Sequence, residues 1–166
     1  DELVATYDPL YKVNPPLRTA EDVAALRQGL ADGTVDCVAT DHAPHPTEDK
    51  ECEWAAAAMG MLGLETALSV VQHTMVDTGL LDWAGVADRM SVRPAAIGGL
   101  ADHGQPLDVG APANLVLIDP AASRVVDAAD TASLSRNTPY AGRELPGAVV
   151  ATFLRGRPTV LDGKLQ

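Results

Sequence analysis

Val35-Asp36-Cys37-Val38-Ala39-Thr40-Asp41-His42-Ala43-Pro44-His45-Pro46-Thr47 runs from a β-branched, apolar segment straight into an acid, two histidines and two prolines. The segment 35–40 has the alternation and length of a buried strand, and Asp32-Gly33 supplies a turn before it. Asp41 is therefore expected at the strand's C-terminal end. In parallel α/β architectures that end faces the ligand, and a carboxylate there can bind a cation or act as a general base. Alternation places Cys37, Ala39 and Asp41 on one face and Val38, Thr40 and His42 on the other. His45, released from the strand by Pro44, is free to fold back over the mouth. The same residues also read as a plain turn or a helix cap, and Pro44 prevents His42 and His45 from sharing a helix face.

The chain just upstream narrows the choice. Tyr11-Lys12-Val13-Asn14-Pro15-Pro16-Leu17-Arg18 reads as a short strand broken by two prolines, with Asn14 extended ahead of Pro15. Thr19 followed by Asp22 has the spacing of an N-cap with an acid in the first turn. Val23, Leu26 and Leu30 then make a helical stripe that ends near Gly33. Strand, helix and strand form one βαβ unit, and its right-handed crossover brings Asn14 and Asp41 to one rim.

Lys12-Val13-Asn14-Pro15-Pro16-Leu17-Arg18 and Ala39-Thr40-Asp41-His42-Ala43-Pro44-His45, at this separation, resemble the bacterial type I dihydroorotases. Gly63-Leu64-Glu65-Thr66-Ala67-Leu68, Arg93-Pro94-Ala95 and Asn137-Thr138-Pro139-Tyr140-Ala141-Gly142 are similar to the same family in the same order. The resemblance implies zinc-dependent, reversible cyclisation of N-carbamoyl-L-aspartate to L-dihydroorotate in pyrimidine biosynthesis. It implies that Asp41 is both a metal ligand and the catalytic proton carrier. It further implies that Asn14, His45, Met59 and Gly60 bind substrate, with Met59-Gly60 standing where Phe-Gly is commoner. The implied cofactor is zinc, one or two ions per complete site.

Family members draw other zinc ligands from a His-x-His pair on the first barrel strand, and no such pair occurs among the four histidines, His42, His45, His73 and His103. A catalytic zinc takes three or more protein ligands, so one carboxylate makes only part of a site. Length points the same way, because a (β/α)₈ barrel needs roughly 250 residues. The expected architecture is thus α/β, the C-terminal part of an amidohydrolase TIM barrel followed by strands of a small composite β-sandwich. Residues 1–100 are expected to carry the last two barrel strands and their helices, and 101–166 the sandwich contribution. The start at Asp1, without Met, also suggests a piece of a longer enzyme, inactive when isolated.

The remaining segments are expected to support that frame. Thr47 to Glu53 is acidic and reads as a solvated stretch or a cover over the substrate. Leu64, Leu68, Val71 and Met75 predict a packing helix within 59–77, and Ala55 to Ala58 also favour helix. Glu65 reads equally as a site residue, a cap or a surface group. His73 and His103 read as surface or capping groups. Short helices are expected at 83–90 and 92–97, capped by Asp82 and Ser91 and stopped by Gly98-Gly99. Strands are expected at 113–118, with a turn at Asp119-Pro120, then at 123–126, 147–155 and 158–161. Further turns are expected at Gly156-Arg157 and Asp162-Gly163.

The formal net charge of −11 argues against nucleic acid and anionic membranes as partners. No stretch approaches the roughly 20 apolar residues of a membrane span. The anionic substrate needs a local cation, which the resemblance assigns to an arginine outside this chain, with Arg18 as a local candidate. Cys37 and Cys52 form no metal pattern, and a reducing, cytoplasmic setting is the default. The expected partners are the small-molecule substrate and the N-terminal half of the barrel, with a homodimer or aspartate transcarbamoylase association as further options. The alternatives are a non-catalytic partner of aspartate transcarbamoylase and a different cyclic amidohydrolase of the hydantoinase or allantoinase type.

Overall fold

The computed structural model describes residues 2–166. Two compact units divide the chain. One gathers the residues through Leu26, Ala39–Leu68 and Val125–Glu144; the other gathers Arg27–Val38, Ser69–Arg124 and Leu145–Gln166.

In the first unit, 3₁₀ turns at Val4–Thr6 and Pro9–Tyr11 lead to helix α1, Ala20–Asp32, whose residues from Arg27 onward belong to the second unit. Thr19 caps α1 as expected: its hydroxyl donates to the Asp22 carboxylate at 3.0 Å and accepts from the Asp22 N–H at 3.3 Å. The apolar stripe is present but open, with Val23 37% and Leu26 58% exposed. The expected strand at 11–18 is not formed; Tyr11 closes a 3₁₀ turn on the Asp8 cap, and the residues after it join no ladder. Helix α2 is the single turn Thr47–Lys50, and Lys50 is buried, so the acidic stretch is anchored rather than simply solvated. Ala55–Ala57 form a turn instead of a helix because Lys12 Nζ takes the carbonyls of Trp54, Ala55 and Ala57. Those are the groups a helix would have used.

In the second unit, residues 35–38 also lack a ladder. The Val35 N–H goes back to Gly29 O at 2.9 Å and the Val38 N–H to Arg89 O at 3.1 Å, so local and helical carbonyls satisfy this backbone. Helix α3, Ala67–Val71, continues as a π-helical segment over Gln72–Val76. It starts later than the apolar spacing predicts: Leu64 is 62% exposed, whereas Val71 and Met75 are buried. Helix α4, Trp83–Ala87, is capped by Asp82, whose carboxylate accepts from the Gly85 N–H at 2.7 Å. It runs through a π-helical segment, Asp88–Val92, into α5, Arg93–Ile97. The chain remains helical at Ser91, which therefore caps nothing. Asp88 accepts from both Arg89 and Arg93, and Arg93 also reaches Asp36 at 3.2 Å. Arg89 Nε donates to Leu30 O at 2.8 Å. Within the second unit, the Arg89–Leu30 hydrogen bond and the Arg93–Asp36 ion pair thus fasten the end of α1 and the following segment to the α4–α5 helices.

The sheet has the order β1-β2-β3-β4, with β1 Leu115–Val125, β2 Glu144–Leu154, β3 Arg157–Leu161 and β4 Lys164–Leu165. β1 passes straight through the expected turn at Asp119-Pro120 and absorbs most of the separate strand expected at 123–126. It tolerates Pro120 because it lies at the sheet edge, and the Pro120 carbonyl accepts from Gln72 Nε2 at 2.9 Å. The β2–β3 turn falls one residue early, on Arg155-Gly156 with φ of 50° and 79°; the β3–β4 turn is Asp162-Gly163 as expected, with φ of 49° and 72°. Two positive φ angles match the right-handed strand twist of a tight hairpin. Arg155 holds this geometry while its N–H donates to Asn114 Oδ1 at 2.8 Å.

The α1 cap has a pH signature. Hydrogen bonds from the Thr19 hydroxyl, then from its backbone, hold the Asp22 carboxyl below its ordinary value of 3.8. The folded chain therefore binds that proton less tightly than the unfolded one. The cap's contribution is present above the ordinary value and is lost as pH falls through the lowered one. Asp22→Ala should lower the melting temperature at neutral pH, with the gap narrowing in acid below 3.8; a gap independent of pH would contradict the cap.

Candidate active site

Asp41, Ala43 and His45 line one loop of the first unit. The Ala43 N–H donates to Met61 O at 2.9 Å, and His42 and Met61 form a parallel bridge. This short pairing sets two segments side by side, 41–45 and 59–63. His42 fixes them further, because its Nδ1 accepts from the backbone N–H groups of Gly63 at 3.1 Å and Leu64 at 3.3 Å. His42 is thus a structural histidine, engaged with the backbone of the 59–64 stretch.

Asp41 is exposed and sits at φ 45°, in the left-handed region that side chains other than glycine seldom occupy. Among the described residues its carboxylate has no hydrogen-bond or ion-pair partner. His45 turns back as its sequence suggests: Nε2 donates to Met59 O at 3.0 Å. In the neutral ring that tautomer leaves Nδ1 as an acceptor. Met59 is 55% exposed, and Gly60 is buried directly behind it. A Cβ on Gly60, at φ 145°, would lie 2.6 Å from Ala43 Cβ and 2.8 Å from His45 Nε2. Only glycine lets the two segments approach this closely.

The structure therefore brings His45, Met59 and Gly60 into contact. Asn14 is exposed and its peptide bond to Pro15 is cis. It joins the group through Lys12, two residues earlier, whose carbonyl accepts from the Gly60 N–H at 3.0 Å. No hydrogen bond links Asn14 to Asp41 among the described residues. Arg18 is spent on the α1 cap, 3.1 Å from Asp22. Glu65 is exposed and accepts from the N–H groups of Ala132 and Ser133, which makes it a loop cap. His73 is exposed 3.8 Å from Asp77.

Three residues to which the sequence reading gave no role of their own build the support. Lys12 Nζ donates to the carbonyls of Trp54, Ala55 and Ala57. Lys50 Nζ, buried, donates to Ala58 O and Gly60 O, each at 3.0 Å, and to Lys12 O at 3.4 Å. Burial, then the nearby Lys12 ammonium, holds Lys50 below the usual lysine range. Asn137 is buried and bonds to both segments. One signal was available: the acidic chain has three lysines, Lys12, Lys50 and Lys164, and two of them flank motif segments.

No group of three or more His, Cys, Asp or Glu residues among those described could hold a metal ion. Asp41 offers one open carboxylate, and these residues do not build a metal centre by themselves. Both cysteines are free and half-buried. No helix among the described residues is long and apolar enough to cross a membrane.

Residues 13–159 match the Amidohydrolase family. The chain belongs to that family. The amidohydrolase chain is 72% identical over 165 residues to a dihydroorotase of Streptomyces coelicolor, covering 99% of this chain and 39% of that protein. It is 57% identical over 166 residues to a dihydroorotase of Mycobacterium tuberculosis, covering all of this chain and 39% of that protein. Among solved structures it resembles an L-hydantoinase from Arthrobacter aurescens, with TM-score 0.88 and 34% identity over 97% of this chain and 36% of that one. A D-hydantoinase from Thermus sp. gives TM-score 0.85 at 27% identity, covering 95% of this chain and 35% of that one. The amidohydrolase chain spans about two fifths of the length of the curated relatives it matches. Its mixed helices and strands correspond to part of the TIM barrel of that superfamily.

Lys50→Met keeps the aliphatic stem and removes the donors. Because Ala58 O then loses its partner, the folded state should lose about 2 kcal/mol, and proteolysis between residues 47 and 58 should accelerate. Unfolding and cleavage rates equal to those of the parent would show that the ammonium does not hold this loop.

Proposed function

We propose that this chain is part of a dihydroorotase that interconverts L-dihydroorotate and N-carbamoyl-L-aspartate in pyrimidine biosynthesis. The supporting observation is the 72% identity to the S. coelicolor dihydroorotase over nearly the whole chain, against 34% to the A. aurescens L-hydantoinase. The free carboxylate of Asp41, four residues before His45 in the same loop, supports that reading.

In the hydrolytic direction, the water oxygen bonds to the ring carbonyl carbon and the ring C–N bond breaks. Asp41 takes the proton from the attacking water and returns it to the departing nitrogen. His45 and the Met59–Gly60 backbone hold the substrate, with Asn14 on the neighbouring segment. Zinc, one or two ions, would take Asp41 as one ligand and the others from elsewhere in the full-length protein; when bound it polarises the carbonyl and acidifies the water. On this reading residues 1–100 complete a barrel and 101–166 a β-sandwich. A cytoplasmic enzyme that is a homodimer, or is associated with aspartate transcarbamoylase, fits the same reading.

The test is turnover by the full-length polypeptide. Asp41→Asn should reduce kcat for dihydroorotate by about three orders of magnitude, the middle of the range for losing a positioned acid–base group. Parent protein that ignores dihydroorotate but opens hydantoin or allantoin would assign it to a different cyclic-amide hydrolase.

A further inference from the structure

We propose that Asn137 is the positioning residue that locks the His45 loop to the Met59–Gly60 turn, so that substrate contact by both depends on one distant carboxamide. This rests on the dihydroorotase reading and adds to it a residue to which no role in that reading was given. Asn137 is 4% exposed. Its Nδ2 donates to Ala43 O at 2.9 Å and to Gly60 O at 3.3 Å. Its Oδ1 accepts from the His45 N–H at 3.2 Å, and its own carbonyl accepts from the Leu62 N–H at 3.1 Å. One planar group therefore bonds to both of the paired segments.

The chemistry singles out asparagine. A carboxamide carries two donors and an acceptor in one fixed plane. Aspartate keeps the acceptor for the His45 N–H and loses both donations; alanine loses all three. The base of the side chain is itself rigid. The Thr138 N–H donates to Arg136 O at 2.8 Å, Thr138 is 2% exposed, and its hydroxyl accepts from the Tyr140 N–H at 3.3 Å. A short displacement of a binding group degrades catalysis steeply, so a clasp that fixes His45 and Gly60 together acts on the site without touching substrate.

In the full-length polypeptide, Asn137→Ala and Asn137→Asp should each raise KM for dihydroorotate about tenfold, with a smaller change in kcat. Asn137→Ala should raise KM by a smaller factor in a His45→Ala background than in the parent, because the part of its effect that passes through the His45 ring is already lost. A purely structural asparagine would lower the melting temperature while leaving KM unchanged, or would multiply KM in the His45→Ala background by its full factor in the parent, and either result overturns the proposal. Should the variants fail to fold, ¹⁵N-asparagine labelling of the parent gives the answer. The Asn137 Nδ2 protons should exchange slowly and shift when carbamoyl aspartate is added; rapid exchange or an unmoved resonance overturns the proposal. Parent protein with no turnover of dihydroorotate condemns the proposed function instead, so the two failures are separable.

Discussion

A backbone carbonyl withdrawn from water must find a donor, and around Gly60 side chains supply donors that the peptide N–H groups do not. Lys50 and Asn137 both donate to Gly60 O, and Lys12 holds the turn that leads to it. The buried groups of this unit are accordingly polar as often as apolar: Lys50, Thr66, Asn137 and Thr138 beside Ala57, Leu62 and Val126. Apolar burial is indifferent to direction, whereas these bonds fix angle and distance. A loop assembly built this way can hold an acid at φ 45° and a histidine against a carbonyl without a ladder beneath them.

The second unit is held differently. Its core packs Val71, Met75, Val86, Ala95, Leu145 and Ala151, and the buried Arg89 and its neighbours supply the fastening. Here too a polar group lies at a crowded point. A Cβ on Gly147, at φ 77°, would fall 2.3 Å from Gln72 Oε1. The strand passes this close only because that position carries no side chain.

Local features were more legible in the sequence than long-range ones. Asp41 and His45 stood out because acids, histidines and prolines after an apolar run are rare, whereas Gly60 was named only through the family resemblance. The Thr19–Asp22 cap, the Asp82 cap and the Asp162-Gly163 turn were legible because each is decided by residues within a few positions. Alternation at 35–40 suggested a strand, but strands are defined by neighbours, and Val35 and Val38 give their N–H groups to a helix carbonyl and the carbonyl of Arg89. Ala55–Ala58 suggested helix until a lysine more than forty residues earlier took the carbonyls. Asn137 was visible as part of a motif, yet its partners lie 77 to 94 residues away, a separation at which local pattern carries no information.

The most direct test of the account is a crystal structure of the full-length protein, loaded with zinc and carbamoyl aspartate. The account predicts a ligand touching His45 and the Met59–Gly60 backbone, with an Asp41 oxygen about 2.0–2.2 Å from the metal. A ligand bound elsewhere, with Asp41 still turned to bulk solvent, would contradict it.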